Sequence, residues 1–421
     1  MHILFLTDNF PPETNAPASR TYEHSKRWVA AGHRVTVVTG APNFPSGIIH
    51  AGYTNAMSRC ETIDGIEVVR VWTYITANEG FLKRTLDYVS FMLAAIAACP
   101  FLPRPDVIVA TSPQFFTPCA ALVVSFLRWR PFVFELRDLW PDSIVAVGAM
   151  RETAAIRLLR KLEYFLYRRA ARIVSVTQSF RRVLSGNGID PGKIAVVPNG
   201  VDLDAYVPGP KPAELARRLG VEGKFVAAYV GTVGMAHGIG TLLDAARALR
   251  QRPDIAFVVV GTGAQQAELA ATAQREGLGN VIFVGAVSKA EVRDYWRLCD
   301  VAVVLLRDTP LFRHVIPSKM FEAMGMERAI VLGVKGESEE ILLESGAGVT
   351  IPPEDALALA SAVAELADDP VRCAALGRKG RVFAAAKFDR DDLAARMLEE
   401  LVQVNEKQQG SGGAKQSWSP R

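Results

Sequence analysis

A chain of 421 residues is longer than one hydrophobic core usually supports, because single domains rarely grow past about 250–300 residues, so two domains are predicted. Hydrophobic residues make up 49% of the chain and charged residues 22%, as in ordinary globular proteins, which excludes a fibrous or wholly disordered protein. The formal net charge of +4 is small for this length, and we expect no nucleic-acid partner.

Five cysteines are scattered along the chain, with no C-x-x-C pair and no histidine at zinc-ligand spacing. This pattern predicts buried, reduced thiols in a cytoplasmic protein and no metal site. The N-terminal sequence passes from a short apolar run into Asp8 and Pro11-Pro12. That composition is unlike a signal peptide and predicts a first buried strand instead.

Short runs rich in valine and isoleucine alternate with helical patterns through the first half of the chain. Each run is continuously apolar, which favours parallel strands covered on both faces. Helices are predicted at Ser19–Ala31 and Ala154–Ala170. The alternation indicates a doubly wound α/β domain over residues 1–197. Its predicted strands are His2–Thr7, Arg34–Thr39, Ile66–Val71, Val107–Ala110, Phe132–Leu136 and Ile173–Val176.

A segment rich in proline and glycine, residues 198–212, predicts an interdomain linker. The strand–helix rhythm then restarts and predicts a second α/β domain over residues 213–388. We expect residues 389–407 to form a helix that crosses back to the first domain, and the Gly/Ser/Gln-rich residues 408–421 to be disordered. The predicted strands of the second half are Phe225–Val230, Ile255–Val260, Val281–Val284, Val301–Leu305 and Ala329–Leu332, and the predicted C-terminal helices are Ala356–Leu366, Val371–Ala386 and Asp391–Val402.

Two segments suggest contact with a membrane surface. The longest apolar stretch, Tyr88–Leu102, is shorter than the roughly 20 residues of a spanning helix, so a buried or membrane-touching helix is predicted. Residues 151–182 carry nine lysines and arginines, together with an apolar stripe at helical spacing. We expect the stripe to lie in the core. The basic face is either solvated or directed at anionic lipid, and we expect a peripheral location on the inner face of the cytoplasmic membrane.

A glycine-rich turn, Gly231–Gly240, lies between the predicted strand Phe225–Val230 and a helix. Such a turn exposes backbone N–H groups near the positive end of a helix and suits a diphosphate; an ordinary flexible loop is the alternative. The sequence contains no P-loop. Gly261-Thr262-Gly263 lacks the third glycine of a dinucleotide fingerprint, because Gln266 stands there, and this argues against NAD.

The segment Pro317–Gly325 has the features of a helix start, since Pro317 suits a first turn and Ser318 can add a cap. Lys319 and Glu322 are three residues apart and therefore share one helix face. Lys319 is suited to pair with a phosphate, and the Glu322 carboxylate can accept two hydrogen bonds from ribose hydroxyls. The alternative is an ordinary surface ion pair.

These features together resemble the retaining glycosyltransferases of family 4, which have the GT-B fold. The resemblance covers nearly the whole chain and is strongest between Val197 and Gly348. It implies two Rossmann-like α/β domains facing a central cleft that holds a sugar nucleotide. The segments that carry it are the Gly231–Gly240 turn, Glu322-Ala323-Met324, Gly336–Ile341 and the hinge-like Val197–Asp202.

In the first half, Pro11-Pro12-Glu13, Ala18-Ser19-Arg20 and Leu136–Ser143 resemble a subgroup that includes the colanic-acid and N-acetyl-L-fucosamine transferases of surface-polysaccharide synthesis. This resemblance implies transfer of a hexosyl or N-acetylhexosaminyl unit, expected to be an N-acetylated or deoxy sugar, from a UDP-sugar with retention. The implied acceptor is a saccharide or a polyprenyl-diphosphate-linked sugar of O-antigen or capsule assembly. We expect no cofactor and no requirement for metal.

The sequence departs from the family pattern at three points. His314 occupies the place of the first glutamate of the family's acidic pair, and His237 replaces a basic residue in the phosphate loop. The fourth strand ends in Glu135-Leu136-Arg137-Asp138, where many relatives place a histidine. We therefore expect Lys319 to supply positive charge to the diphosphate, and a carboxylate or an arginine to act on the acceptor side.

Breakage of a sugar–diphosphate bond leaves negative charge on the phosphate, which N–H dipoles and cations can stabilise. The predicted catalytic residues are Asp138, as the group that orients or deprotonates the acceptor hydroxyl, together with His237 and Lys319. Acceptor contacts are expected from Asn15, Ser19, Arg20 and Arg137. The predicted donor-binding residues are Gly231, Thr232, Val233, Gly234, Gly261, Arg313, His314, Pro317, Ser318, Glu322 and Glu340.

Two other functions stay open at this point. One is a nucleotide-sugar epimerase of the same two-domain architecture, which needs an acid/base constellation and no lipid surface. The other is a weakly catalytic nucleotide-sugar-binding partner in a membrane assembly, which is favoured only by His237 and His314 at positions where relatives carry charge. The residues do not discriminate among donor sugars, acceptors or linkages.

Overall fold

The structure is a computed structural model that describes residues 1–44, 46–76, 81–146 and 152–413. Its contacts divide the chain into two compact units. The first unit comprises Met1–Pro198 and the C-terminal residues from Asp391 onward, and the second comprises Asn199–Arg390. The first boundary therefore falls next to the predicted one at residue 197.

The first unit is built on an eight-stranded sheet with the strand order β3-β4-β2-β1-β5-β6-β7-β8. Every neighbouring pair is parallel except β3 and β4, which pair antiparallel as an edge hairpin. The strand order reverses between β1 and β5, as in doubly wound folds. The strands are β1 (His2–Leu6), β2 (Arg34–Thr39), β3 (Ser58–Ile63), β4 (Ile66–Val71), β5 (Val107–Thr111), β6 (Phe132–Leu136), β7 (Arg172–Ser175) and β8 (Ile194–Val196).

The helices of the first unit connect these strands. The predicted apolar helix is present as α2 and continues into a 3₁₀ turn, Cys99–Phe101. Among the described residues, no helix combines the length and apolar character needed to cross a bilayer. The helices are α1 (Ala16–Ala30), α2 (Phe81–Ala98), α3 (Phe116–Arg128), α4 (Asp142–Ala146), α5 (Ala154–Arg169) and α6 (Gln178–Gly186).

The amphipathic sequence of α5 is arranged as its pattern predicts. Ile156 and Leu166 of the apolar stripe are buried, whereas Arg157, Lys161 and Arg168 are exposed. A side-chain cap starts this helix, because the Thr153 side chain accepts a hydrogen bond from the Ile156 N–H. Arg151, which opened the predicted basic segment, lies outside the described residues.

The second unit contains a six-stranded, wholly parallel sheet with the order β11-β10-β9-β12-β13-β14, which reverses between β9 and β12. Its strands are β9 (Phe225–Val230), β10 (Ile255–Val260), β11 (Val281–Gly285), β12 (Val301–Leu305), β13 (Ala329–Gly333) and β14 (Gly348–Thr350). Its helices are α7 (Ala213–Arg218), α8 (Gly240–Ala248), α9 (Gln266–Arg275), α10 (Lys289–Leu298), α11 (Lys319–Gly325), α12 (Glu337–Ser345), α13 (Ala356–Asp368) and α14 (Pro370–Lys387).

The predicted linker, residues 198–212, is a packed part of the second unit from Asn199 onward. Val201 and Tyr206 are buried. The Val201 N–H donates to the Phe388 carbonyl and the Val201 carbonyl accepts from the Arg390 N–H. The predicted interdomain linker thus begins at the boundary between the units, and its proline- and glycine-rich backbone is irregular but packed.

The last helix, α15 (Arg390–Gly413), belongs to the first unit. Leu393, Met397 and Leu401 join the same buried cluster as Trp28. The Trp28 indole N–H donates to the Ala394 carbonyl at 2.9 Å. The helix continues to Gly413, so the predicted disorder from residue 408 was wrong up to that point; residues 414–421 lie outside the described residues.

All five cysteines are free thiols. Cys99, Cys299 and Cys373 are buried as predicted, whereas Cys119 is half-buried. Cys60 is exposed, which corrects the expectation for that residue. It lies on the edge strand β3, whose alternating burial leaves every second side chain at the surface.

Candidate functional site

Several residues predicted to bind the donor lie in the second unit at the carboxyl end of β9, beside the point where the strand order reverses. Ligands of doubly wound sheets bind in the crevice outside such a point. Gly231 follows β9 directly, Gly261 follows β10, and Lys319 begins α11 after β12. The topology thus brings together motifs that are up to 88 residues apart (319 − 231) in the chain.

Two glycine-containing loops interlock at this edge. The Gly231 N–H donates to the Val260 carbonyl at 2.9 Å, and the Val233 N–H donates to the Thr262 carbonyl at 2.9 Å. A Cβ on Gly261 would lie 2.0 Å from the Gly231 carbonyl oxygen. Only glycine fits there, because no real side chain approaches backbone so closely.

This interlocking corrects part of the predicted phosphate loop. The N–H groups of Gly231 and Val233 hold the loop to its neighbour and are not available to a diphosphate. Within the described part of the chain, the Thr232 and Gly234 N–H groups have no such acceptor. The Val233 side chain is fully buried, so its contribution to the site is structural.

Lys319 is the cation of the site. Its ammonium group lies 3.6 Å from the centre of the Tyr229 ring, and a Cβ on Gly231 would come within 3.0 Å of its Nζ atom. Nζ is buried and makes no hydrogen bond to any described residue. Burial lowers the pKa of Lys319 to about 7, against a smaller opposing effect of Glu322. A buried ammonium without a hydrogen-bond acceptor is suited to an incoming anion.

His237, which stands where the family pattern has a basic residue, is a neutral imidazole near neutral pH. Burial, followed by the nearby charge of Lys319, lowers the pKa of His237 to about 3. Its ring lies edge-on to Tyr229 with 6.2 Å between ring centres, and its Nδ1 atom is buried without a hydrogen-bond partner in the described chain. A neutral histidine can still donate one hydrogen bond to a phosphate oxygen.

Glu322 lies one turn after Lys319 on α11. Its carboxylate accepts a hydrogen bond from the Trp296 indole N–H at 3.1 Å and another from the Tyr206 hydroxyl. Burial raises the pKa of Glu322, while these bonds and two lysines oppose the rise. The two donors fix the carboxylate, and its remaining lone pairs are suited to a diol such as ribose.

The other predicted donor residues surround this centre less closely. Thr232 and Arg313 are exposed, and the Arg313 guanidinium lies 3.4 Å from the Asp308 carboxylate. His314 ends a 3₁₀ turn, Leu311–His314. Pro317 and Ser318 precede α11, but the Ser318 side chain makes no capping bond, which corrects that expectation.

Glu340 lies in the first turn of α12 and is exposed. Gly336 precedes the helix; its φ is 85°, and a Cβ there would lie 2.0 Å from the Arg313 carbonyl oxygen, so a side chain is excluded. The Glu340 N–H donates to the Gly336 carbonyl as part of the helix. Its carboxylate therefore complements the positive end of α12, and its contact with a donor stays a prediction.

On the acceptor side, Asp138 follows β6 and is engaged locally. Its carboxylate accepts hydrogen bonds from the Ser143 side chain and the Leu139 N–H, and burial raises its pKa. The Ser112 hydroxyl accepts from the Arg137 N–H at 2.8 Å. These bonds fix the turn after β6, and a catalytic role of Asp138 stays a prediction.

Arg20 has a structural role that its motif did not indicate. Only 6% of its side chain is exposed, and its Nε–H donates to the Glu135 carboxylate at 2.7 Å. Its two remaining nitrogens donate to the carbonyls of Val197 and Pro198. The guanidinium thus ties α1 to β6 and to the end of the unit, which argues against the predicted acceptor contact.

The remaining acceptor-side predictions lie close to Arg20. Burial lowers the pKa of Arg137 to about 10, and its Nη1 atom is buried without a partner in the described chain. Asn15 caps α1, since its side-chain oxygen accepts from the Ala18 N–H at 3.0 Å. Ser19 lies in the first turn of that helix and is half-buried.

Several site residues escaped sequence reasoning. Tyr229, Trp296 and Tyr206 are aromatic residues within apolar or helical patterns, so each reads as core. Tyr229 had one usable signal, because it stands next to the carboxyl end of β9. No local signal linked Trp296 or Tyr206 to Glu322, since that contact depends on the tertiary fold.

Two family comparisons cover most of the chain. Residues 15–200 match the glycosyl transferase 4-like domain, and residues 224–369 match the glycosyl transferases group 1 family. The first match lies in the first unit apart from its last two residues, and the second lies wholly within the second unit.

Individual proteins similar to this chain are also described as glycosyltransferases. WbjE of Pseudomonas aeruginosa, described as a probable glycosyltransferase, is 27% identical over 63% of this chain and 67% of its own length. WcaI of Escherichia coli K12, assigned as a colanic acid biosynthesis glycosyl transferase, is 23% identical over 86% of this chain and 91% of its own.

Solved structures share the fold. HepE of Anabaena, determined with UDP and glucose, superposes with a TM-score of 0.72 at 20% identity and covers 95% of this chain and 99% of its own. Sucrose-phosphate synthase of Thermosynechococcus elongatus gives a TM-score of 0.75 at 19% identity and covers 96% and 98%. The two doubly wound units are therefore those of a GT-B fold.

Proposed function

Because the chain belongs to the glycosyltransferases, with a glycosyl transferase 4-like domain followed by a glycosyl transferases group 1 domain, we propose that it transfers a sugar from a UDP-sugar to a saccharide acceptor, with retention of configuration. The observation that carries this proposal is the buried ammonium of Lys319 at the carboxyl end of β9, which lies on the Tyr229 ring and has no hydrogen-bond acceptor among the described residues. An anion bound there would offset the free-energy cost of that burial, and the diphosphate of a nucleotide sugar is such an anion.

The chemistry follows from three side chains. Lys319 neutralises the diphosphate as the bond to the sugar breaks, so its stabilisation grows with the charge on the leaving oxygen. His237 donates a hydrogen bond to a phosphate oxygen from its neutral ring, and Glu322 accepts hydrogen bonds from the ribose. No step of this scheme requires a metal ion or a cofactor.

The relatives support surface-polysaccharide synthesis as the setting, since WcaI is assigned to colanic acid biosynthesis. The acceptor in this proposal is a saccharide, either free or linked to a polyprenyl diphosphate. HepE was determined with UDP-glucose as well as with UDP, which favours a UDP-sugar, whereas a mycobacterial relative 27% identical over 54% of this chain is named as GDP-mannose-dependent.

A lipid-linked acceptor requires access to a membrane, and the first unit has a surface suited to it. The aromatic cluster, Phe101, Phe126 and Trp129, is 90%, 63% and 79% exposed. The Arg128 guanidinium donates to the carbonyls of Pro100 and Leu102, which holds Phe101 against the end of α3. Trp129 adopts φ 52°, a conformation that costs a bulky residue about 1–2 kcal/mol.

Basic side chains are exposed on the helix that packs against α3. Helix α3 packs against α5, which exposes Arg157, Lys161, Arg168 and Arg169. Exposed aromatic residues beside lysines and arginines are typical of surfaces that enter the interface of an anionic bilayer. We therefore include peripheral attachment to the inner face of the cytoplasmic membrane in the proposal, with the aromatic cluster as its point of insertion.

Vesicle flotation tests the attachment. We expect the protein to float with phosphatidylglycerol vesicles at low salt and not with phosphatidylcholine alone. The double variant Phe101→Ser/Trp129→Ser should weaken binding at least about tenfold, because it removes two large apolar groups from the interface. The matched control is Val371→Ser/Val382→Ser, which changes two exposed apolar residues of the second unit. Equal flotation of both double variants argues against the aromatic cluster.

The function itself is tested by thermal shift with a panel of UDP- and GDP-sugars, followed by transfer to a lipid-linked saccharide extract. We expect stabilisation by UDP-sugars, loss of that shift in Lys319→Gln, and a labelled product in the lipid fraction. Formation of a new sugar isomer from UDP-sugar alone would favour the epimerase. Binding without transfer or hydrolysis would favour a non-catalytic partner.

A further inference from the structure

A second cavity lies in the first unit, where its own strand order reverses between β1 and β5. Its volume is about 220 Å³, and residues after both strands line it, among them Asp8 after β1 and Gln114 after β5. Helix α2 contributes Arg84, Asp87 and Tyr88 to the same wall. None of these five side chains has a role in the donor chemistry described above.

Three carboxyl groups line this cavity, and one of them is already used. Glu13 accepts hydrogen bonds from the N–H groups of Asn43 and Phe44, both at 2.9 Å, so it holds the neighbouring loop. Asp8 and Asp87 remain as a pair. Among the described residues, no group of carboxylates, histidines and cysteines is arranged to hold a metal ion.

The two carboxyl groups influence each other's protonation. Burial first, and then the charges of Asp87 and Glu13, raise the pKa of Asp8 well above its ordinary value. Burial raises the pKa of Asp87 to about 7, with Arg84 opposing the rise and Glu13 adding to it. The Tyr88 hydroxyl, which accepts from Arg84, also faces the pair, and its raised pKa keeps it neutral. Near neutral pH the pair therefore offers both O–H donors and oxygen acceptors.

Gln114 gives an independent indication of a ligand. Only 6% of it is exposed, and its side-chain oxygen accepts a hydrogen bond from the Thr117 hydroxyl. Its Nε2 group is buried without a hydrogen-bond acceptor among the described residues. An amide N–H₂ left unpaired in a cavity wall costs free energy that a ligand oxygen would recover.

We propose that this cavity binds the terminal ring of a saccharide acceptor, a ring that carries hydroxyl or amino groups and no phosphate or carboxylate, an inference that rests on the proposed glycosyl transfer. Hydroxyl groups both donate and accept, so they match a carboxyl pair that carries a proton together with the free N–H₂ of Gln114. An amino group would be held by the ionised pair. A phosphate or carboxylate on the ring would face Glu13 and, above about pH 7, the ionised Asp87, whose charge already interacts with that of Arg84 in the same wall. Such an anionic group is therefore disfavoured.

Saturation-transfer NMR on the full chain tests this selectivity with three probes: methyl glucoside, methyl glucosaminide and methyl glucuronide. We expect the first two to bind and the glucuronide to bind about tenfold more weakly. The glucuronide signal should fall further as the pH rises through about 7, because Asp87 loses its proton there. In Asp87→Asn this pH dependence should disappear and the glucuronide should bind more like the glucoside.

The charge-matched control is Glu399→Gln, which removes one exposed carboxylate of α15 away from the cavity and should leave all three signals unchanged. Asp8→Asn serves as a second variant, with the same expected gain for the glucuronide. Equal binding of all three probes, binding of none, or unchanged selectivity in both variants would overturn the proposal. The thermal shift with UDP separates the two proposals, because its loss counts against the donor chemistry and leaves the selectivity of this cavity unaffected.

Discussion

At the scale of single residues, the protonation of Lys319 links the structure to the pH dependence of donor binding. The free protein holds this ammonium in a buried place next to Tyr229, which lowers its pKa to about 7. A bound diphosphate would favour the charged form and raise that pKa again. Donor binding above pH 7 is therefore coupled to the uptake of one proton.

We predict that the affinity for UDP-glucose falls as the pH rises above about 7, because the free protein must then protonate Lys319 in order to bind. In Lys319→Gln the affinity should drop about 10- to 100-fold at neutral pH and lose this pH dependence. Isothermal titration calorimetry across the pH range measures both effects. Lys379→Gln, an exposed lysine of the same unit, is the control. If the affinity of both variants depended on pH in the same way, a group other than Lys319 would cause the pH dependence.

Gly231 has no side chain and therefore leaves room for the Lys319 ammonium. A Cβ there would lie 3.0 Å from Nζ of Lys319, at a φ of 138° that other residues rarely adopt. We predict that Gly231→Ala displaces Lys319, weakens UDP binding and lowers stability by about 1–3 kcal/mol. Gly277 also has a positive φ, 62°, but its surroundings are open. Gly277→Ala should therefore lower stability through backbone strain alone and bind UDP normally. Thermal shift with and without UDP compares the two.

Sequence reasoning reached the donor side because its residues stand in recognisable motifs. Gly231, Lys319 and Glu322 each follow a strand or open a helix, and parallel sheets gather such places at one edge. The protonation of these side chains and the hydrogen bonds of the loop could not be predicted from the sequence. The neutral form of His237 depends on burial and on Lys319, and the two occupied N–H groups depend on the loop after β10.

At the scale of elements, the buried ion pair between Arg20 and Glu135 connects α1 to β6. Removal of one partner of a buried pair leaves the other charge uncompensated. We predict that Arg20→Ala lowers the free energy of unfolding of the first unit by about 3–5 kcal/mol. Arg34→Ala, which breaks an exposed pair with Glu67, should cost less than about 1 kcal/mol. Scanning calorimetry resolves the two, and equal losses would contradict a structural role of Arg20.

The strands that the sequence predicted share one physical property. Each is a largely apolar run; every residue of β1 and β10 is buried, whereas the edge strand β11 is half-buried. The missed strands lack that property. β3 is mostly polar and lies at an edge, and β8 and β14 are three residues long, too short for any period to register.

At the scale of the whole molecule, the donor residues and the Asp8–Asp87 cavity belong to different units. We predict that a fragment spanning Asn199–Arg390 folds alone and binds UDP with the affinity of the full chain, because Gly231, Lys319 and Glu322 all lie within it. Calorimetric titration of the purified fragment measures this. A folded fragment that does not bind UDP would place essential donor contacts in the first unit.

The complementary truncation should behave differently. Removal of the residues after Arg390 takes Leu393, Met397 and Leu401 out of the first unit's core and leaves the Trp28 indole without its carbonyl acceptor. We predict that the chain ending at Arg390 loses the cooperative unfolding transition of the first unit and keeps that of the second. Calorimetry with and without UDP identifies the remaining transition, because UDP should stabilise the second unit. If both unfolding transitions remained, the role of α15 in the first unit would be contradicted.

The return of α15 to the first unit also sets an order of events during synthesis. Residues 1–198 leave the ribosome first, yet the helix that completes their core is translated after all of Asn199–Arg390. The second unit can therefore fold while the nascent first unit still exposes the apolar surface around Trp28. In the cell, a chaperone would bind the growing chain during this period, because the apolar surface is exposed then.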